Sequence, residues 1–259
     1  MLNDIVMTKH QEVESAKARL SLDELRRRTA NRMAERSFRR AIAVPGKLSL
    51  IAELKRKSPS RGMLRERFDP VSLAQTMQQA GASALSVLTD ESYFGGSLDF
   101  LRDAKQFTEI PALRKDFIVD PYQVYEAALY EADAVLLIVR ILTQELLTDC
   151  LQTADRLGLD ALVEVHSEAE LETALRSGAS ILGINHRDLS SFAIDPALSE
   201  RLVPRIPAGK VLVAESGLQS SADVKRMQRL GVHAVLIGEA LMVAPSVPAK
   251  IGELFAGVW

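Results

Sequence analysis

Cysteine occurs once, at Cys150, so the chain can form no internal disulfide, and a reducing compartment suits it. Cys150 falls in the apolar-periodic stretch Leu146 to Leu157 with no histidine near it in sequence, which makes it a helix-face residue rather than a nucleophile. The four histidines, His10, His166, His186 and His233, form no H-x-H or H-x-x-x-H pair, so no metal is expected. Aromatic residues make up only 5%, and neither sign of charge dominates: 32 Lys and Arg stand against 34 Asp and Glu, a net charge of −2. That balance supplies neither the basic field nor the stacking surface of a nucleic-acid binder. No apolar run approaches the ~18 residues of a membrane span. The start, MLNDIVMTKHQEVES, carries an acid early and has no apolar h-region, so no secretory leader is expected and the cytoplasm is the expected compartment.

What is present is an ordinary soluble composition, 47% hydrophobic and 25% charged, in 259 residues, the usual size of one α/β barrel. Residues 8 to 42 are charged and helix-favouring. Ser21 with Glu24 has the spacing of a capping box. Arg26, Arg27 and Arg28 form a basic cluster, read as a solvated face because Glu12, Glu14, Asp23 and Glu24 lie close by.

From residue 48 the pattern changes to short apolar runs alternating with amphipathic stretches. The runs are LSLIAEL (48–54), ALSVL (84–88), IPALR (110–114), AVLLIV (134–139), ALVEV (161–165), ILGI (181–184), VLVAE (211–215) and AVLIG (234–238). Between them, Asp69-Pro70 and Asp120-Pro121 place a cap before a proline at the first helical position. Ser97, Thr143, Ser167, Asp195 and Ser220 are further caps, and Gly81, Gly158, Gly178 and Gly231 sit where helices end. Eight strand–helix units require a parallel sheet. Their regularity, and the missing G-x-G-x-x-G after the first strand, favour a closed (βα)8 barrel over a doubly wound sheet. One catalytic domain over 1–259 is expected, with residues 1–47 as an N-terminal helical extension.

A barrel keeps its active site at the C-terminal ends of its strands. Strand side chains alternate faces, so Glu53 shares a face with Lys55, Lys115 with Phe117, Glu164 with His166, Asn185 with Arg187, and Glu215 with Gly217. Five strands therefore deliver three glutamates and two lysines, with Asn185 and Arg187, to one mouth. Buried charges are costly unless paired, so a site that turns over an anion explains the set better than a core does. Strands seven and eight close on Ser216-Gly217 and Gly238-Glu239, where glycine lets backbone N–H groups approach an anion, and a phosphate site is expected there. Ser58-Pro59-Ser60, within KRKSPSRG, reads as a loop and candidate lid over the mouth. His166 is assigned a structural or bystander role, and His233 is expected to face outward.

In order from about residue 48 to 245, the stretches IAELKRKSPSRG, SVLTDESYFGGSLDFL, LRKDFIVDPYQ, VLLIVRILT, LVEVH, GINHRDL, VAESGL and AVLIGEALM are similar to the signature set of the indole-3-glycerol phosphate synthase family. The resemblance implies conversion of 1-(2-carboxyphenylamino)-1-deoxyribulose 5-phosphate to indole-3-glycerol phosphate, CO2 and water, in tryptophan biosynthesis, without a cofactor. By motif, Lys115 resembles the general acid at the substrate carbonyl. Lys55 resembles the lysine that meets the substrate carboxylate, Glu164 the catalytic carboxylate, and Glu53 and Asn185 complete the polar ring. Arg187 resembles an orienting residue. Ser58, Glu215, Ser216, Gly217, Gly238 and Glu239 match substrate- and phosphate-contacting positions, and Phe94 and Phe117 the walls around the anthranilate ring. Which of Lys55, Glu53 and Glu164 serves dehydration is left open. His186 stands where Asn or Ser is more usual; by alternation it points away from Asn185, so little effect on the chemistry is expected. The expected partner is a small phosphorylated substrate, with no nucleic acid and no membrane, acting on a monomer or weak homodimer.

Overall fold

The computed structural model describes residues 1–32, 35–189 and 191–259; positions 33 and 34 of the expected extension lie outside the described residues. Three helices come first: α1 (Leu2–Arg19), α2 (Leu22–Thr29) and α3 (Phe38–Ile42). Then come β1 (Ser49–Leu54) and a two-stranded hairpin, β2 (Lys57–Ser58) with β3 (Gly62–Met63). Helices and strands alternate from there: α4 (Pro70–Gln79), β4 (Ala84–Leu88), α5 (Leu98–Gln106), β5 (Ala112–Lys115), α6 (Pro121–Leu129), β6 (Ala134–Ile138), α7 (Gln144–Arg156) and β7 (Asp160–Val165). The series continues with α8 (Glu168–Arg176), β8 (Ile181–Asn185), α9 (Leu198–Leu202), β9 (Val211–Glu215), α10 (Ser221–Arg229) and β10 (Ala234–Ile237), followed by α11 (Glu239–Met242) and α12 (Val247–Leu254).

The eight strands β1 and β4 to β10 pair in parallel and close into a barrel, β10 meeting β1 through Ser49↔Ala234 to Ala52↔Ile237. Alternation along each strand divides the apolar residues between two cores. Ile51, Leu113, Leu136, Leu162, Val213 and Leu236 point inward and fill the barrel. Leu50, Ala52, Val87, Leu137, Val163 and Ala214 point outward, where the helices cover them. Both faces are buried, which is why the strands read as continuous apolar runs. At the open end of the interior Ile138 and Phe117 remain, while Glu53, Lys115, Glu164, Asn185 and Glu215 take over from the apolar series on their strands.

The helices begin where the caps place them. The side chains of Asp69, Ser97, Asp120, Thr143, Ser167 and Ser220 each accept a backbone N–H of the following first turn. Two of the expected caps are corrected. Ser21 accepts the Glu24 N–H at 3.3 Å, but the Glu24 carboxylate does not return to the cap; Arg27 and Arg28, one turn on, take it as an ion pair. Asp195 caps no helix directly: its Oδ1 accepts the Ala197 N–H at 3.0 Å and α9 begins a residue later. The segment around Ser58-Pro59-Ser60, expected to be a loop, forms the short hairpin β2–β3.

α1 is docked by a buried cation. Lys9, 3% exposed, places Nζ 2.8 Å from Asp90 Oδ2, 3.0 Å from Asp116 Oδ1 and 2.7 Å from Glu12 Oε2. Burial alone would depress the ammonium, but Asp116 and Asp90 outweigh it and hold it raised. Removing one partner of such a group leaves charges buried without compensation. Lys9→Met is therefore expected to lower unfolding free energy by about 3–5 kcal/mol in urea titrations. A loss under about 1 kcal/mol, the worth of an exposed pair, would contradict this account of the docking.

Cys150 is fully buried on α7, and burial pushes its thiol up to about 12, so no thiolate forms near neutral pH. Cys150→Ser puts a hydroxyl in an apolar contact and is expected to cost about 1–3 kcal/mol of stability while leaving turnover unchanged. Turnover lost at temperatures where the variant melts as a folded protein would show a role for the sulfur.

Candidate active site

The mouth is built by strand ends. Alternation carries Glu53 inward from β1, Lys115 from β5, Glu164 from β7, Asn185 from β8 and Glu215 from β9, with Lys55 and Arg187 just beyond their strands. Register brings them level: Ile138 pairs with Glu164, Glu164 with Gly183, and Asn185 with Glu215. Two positions beside the acids are glycine for want of space. A Cβ at Gly183 would lie 2.2 Å from Glu215 Oε1, and one at Gly238 would lie 2.2 Å from Glu53 Oε1. Gly238, expected to open an anion loop, thus makes room for a carboxylate, and it does not line either hollow described below.

Lys115 is the hub. Its Nζ lies 3.4 Å from Glu164 Oε2 and 3.7 Å from Glu215 Oε2. Burial would depress its ammonium, but the carboxylates Glu164, Glu215 and Glu53 together outweigh burial and raise it. Lys115 is thus a protonated donor at neutral pH. Burial would likewise raise Glu164, yet Lys115 and then His166 hold it well below the usual carboxylate range. Glu215 goes the other way: burial and the charge of Glu164 push it well above that range, against Lys115. Two neighbouring carboxyls with opposite tendencies give the mouth both an ionised and a protonated acid near neutrality. Glu53 is paired with Lys55 at 2.7 Å and stays lowered despite its burial.

Two hollows adjoin at this mouth and share Lys55, Arg187, Ser216 and Glu239. The inner one holds Glu53, Ser58, Lys115, Glu164, Asn185 and Glu215 and is walled by Phe94 and Phe117, whose rings lie 5.9 Å apart. The outer one gathers Arg61 and Lys250 beside Lys55 and Arg187, with Ser216 and Gly217 along one side. Ser216 and Gly217 both have left-handed backbone, φ 65° and 74°, and a Cβ at Gly217 would strike Ile194 Cγ2 at 2.7 Å. Among the described residues Glu239 is the one acid of the outer hollow, and it pairs with Arg61 at 3.2 Å and Arg187 at 3.3 Å.

Several participants were not assigned from sequence. Lys250 reaches the outer hollow from α12, far from any motif. Asp90 accepts the N–H groups of Tyr93 and Phe94, and Asp116 that of Phe117, so the acids held by Lys9 also fix both ring walls. His166, taken for a bystander, has its Nε2 3.3 Å from Glu164 Oε1. His186 does turn outward, holding the Ser216 carbonyl and the Ser199 hydroxyl at 3.0 and 2.7 Å. His233 accepts the Leu212 N–H at 3.1 Å. Among the described residues, no group of His, Cys, Asp and Glu is arranged to hold a metal ion.

A closed parallel barrel whose strand ends converge on buried acid–base groups is a (βα)8-barrel enzyme. Solved structures agree on the fold. Thiamine phosphate pyrophosphorylase from Pyrococcus furiosus superposes with a TM-score of 0.62 at 18% identity, covering 82% of this chain and 96% of that one. 3-Hexulose-6-phosphate synthase from Salmonella typhimurium gives 0.61 at 16%, covering 80% and 96%. Sequence comparison is more specific. The indole-3-glycerol phosphate synthase profile matches residues 2–254. The synthase of Syntrophobacter fumaroxidans is 46% identical over 256 residues, 98% of this chain and 97% of its own. That of Dehalococcoides mccartyi strain CBDB1 is 52% identical over 208 residues, 79% and 80%. The chain belongs to the indole-3-glycerol phosphate synthase family, carboxy-lyases of tryptophan biosynthesis.

Proposed function

We propose that this mouth binds 1-(2-carboxyphenylamino)-1-deoxyribulose 5-phosphate and carries out ring closure, decarboxylation and dehydration to indole-3-glycerol phosphate. The observation that carries the reading is the pair of adjoining hollows: an aromatic-walled one around Lys115, Glu164 and Glu53, opening into a cationic one. An elongated substrate with an aromatic acid at one end and a phosphate at the other fits that order. The phosphate takes the outer hollow, against Arg61, Arg187, Lys250 and the Ser216–Gly217 backbone, with Glu239 beside them. The anthranilate ring lies between Phe94 and Phe117, with Ser58 and Lys55 toward its carboxylate.

Lys115 then donates its proton to the ketone oxygen as the aromatic carbon bearing the carboxylate attacks the carbonyl carbon, so the C–C bond forms and the oxygen stays on that carbon as a hydroxyl. The ring nitrogen, made iminium by the attack, accepts the electron pair of the departing CO2, so no other electron sink is required. Dehydration takes a proton onto the leaving hydroxyl and removes one from the adjacent carbon. Glu53, Lys55 and Glu164 supply the groups, Glu215 lies within their reach, and Asn185 orients the ring of acids. The whole of 1–259 is one catalytic unit in this reading. The protein is cytoplasmic and a monomer or weak homodimer, working without cofactor, nucleic acid or membrane.

The test is an indole-fluorescence assay on purified protein with that substrate and no added metal or nucleotide. Fluorescence rises under saturating substrate if the reading is correct. Folded protein that gives no rise would return the site to another phosphate-bearing substrate.

A further inference from the structure

The following rests on the proposed reaction and concerns what keeps Glu164 a charged group through it. His166 stands two residues beyond Glu164, and its side chain is 2% exposed. Its ring lies between two carboxylates: Nε2 is 3.3 Å from Glu164 Oε1, and Nδ1 is 3.1 Å from Glu170 Oε2. A neutral imidazole has one N–H and one lone pair, so one of two facing carboxylates would meet a lone pair; only the imidazolium satisfies both. Glu170, on α8, is itself fixed. Its Oε2 accepts the His166 backbone N–H at 2.7 Å, and its Oε1 pairs with Arg140 Nε at 2.8 Å. Arg140 continues to Asp188 at 2.6 Å. The groups facing this imidazole from every side are thus Glu164 from β7 and Glu170 from α8, with Arg140 behind Glu170 and Lys115 and Glu215 behind Glu164. Burial lowers the affinity of the ring for its second proton, but the two carboxylates outweigh burial and raise it to about 9.

The contact between Glu164 Oε1 and His166 Nε2 is close without being directional, and neither atom has an aligned hydrogen-bond partner. It acts as a charge pair. Glu164 therefore has one oxygen toward Lys115 and the other toward His166.

We propose that His166 is a positioning residue for this reaction: clamped by Glu170, its imidazolium holds Glu164 ionised and in place when Lys115 gives up its proton and its charge to the substrate. Without a second cation, Glu164 would lose its counter-charge at the moment Lys115 is neutralised, and would compete with the substrate for that proton.

Two measurements test this. The first is the pH profile of kcat/KM for His166→Gln, which keeps hydrogen-bonding capacity and removes the charge. With no imidazolium beside Glu164, the acid limb is expected to move up by about one pH unit. kcat is expected to fall about tenfold, the equivalent of that shift, with KM little changed. A variant with wild-type kcat and an unmoved acid limb would overturn the proposal. So would one whose kcat falls only in step with its melting temperature while the acid limb stays put. The second is NMR titration of the imidazoles in the wild-type protein, with His166→Gln used for assignment. A His166 midpoint near 9 is expected; a midpoint at or below its ordinary 6.5 would overturn the proposal. The titration needs no substrate. If wild-type protein gave no indole fluorescence, the proposed function would fail while this midpoint still decided the state of His166.

Discussion

Replacing Lys115 by methionine is expected to lower turnover by about 10²- to 10⁴-fold, the range that loss of a positioned general acid commands. The neighbouring cations are engaged elsewhere. Lys55 is engaged by Glu53 at 2.7 Å, and His166 faces Glu164 and Glu170. The same substitution has a second consequence. Lys115 is the shared counter-ion of Glu164, Glu215 and Glu53, all buried. Without it all three move up: Glu215 further above its unfolded-state value, and Glu164 and Glu53 out of the lowered range in which it helps to hold them. A carboxyl raised in the folded state costs nothing below its unfolded pKa and progressively more as pH climbs toward the folded one. Lys115→Met should therefore lose less stability relative to wild type at about pH 5 than at about pH 8. Single-turnover fluorescence at both pH values, with urea unfolding alongside, checks the two together. Near wild-type kcat would remove Lys115 from the acid's role, and a pH-independent stability deficit would mean that the three carboxylates do not share it.

Much of this arrangement is legible in the chain because the physics behind it is local. Alternation along a strand fixes which residues point inward, so Glu53, Lys115, Glu164, Asn185 and Glu215 can be placed at the mouth from the apolar runs they end. Caps and helix-ending glycines are equally local: Gly81, Gly158, Gly178 and Gly231 all have positive φ. What escapes the sequence is set by contacts between distant segments. Lys9 meets Asp90 and Asp116 across more than eighty residues, and its own helix is simply charged and amphipathic. Lys250 reaches the outer hollow only because α12 packs beside it. The hairpin at 57–58 and 62–63 is too short to alternate. His166 is the instructive case. Its face was legible, but its meaning depends on Glu170, which the chain brings back from the start of the next helix.

Glu164→Gln keeps the shape of the side chain and removes only its charge, and its expected effect is again about 10²- to 10⁴-fold in kcat. KM should change little, because the inner hollow keeps its aromatic walls and the outer one its cations, and in the proposed reaction these hold the substrate equally in ground and transition states. Stability should not fall with activity. In the native protein Glu215 is pushed up by burial and then by the charge of Glu164, with Lys115 opposing. Once that charge is gone, Glu215 moves back toward its ordinary range and ionises beside Lys115, which keeps a partner. A raised carboxyl costs stability as pH rises above its unfolded value, so lowering it recovers some at neutral pH. The variant should therefore melt at or near the wild-type temperature at about pH 7.5 while turning over far more slowly. Steady-state kinetics and thermal unfolding on one preparation separate the outcomes. A rise confined to KM would make Glu164 a binding residue. A fall in melting temperature matching the fall in kcat would make it a structural one. Lost kcat with retained KM and stability is what a carboxylate acting in the transition state requires.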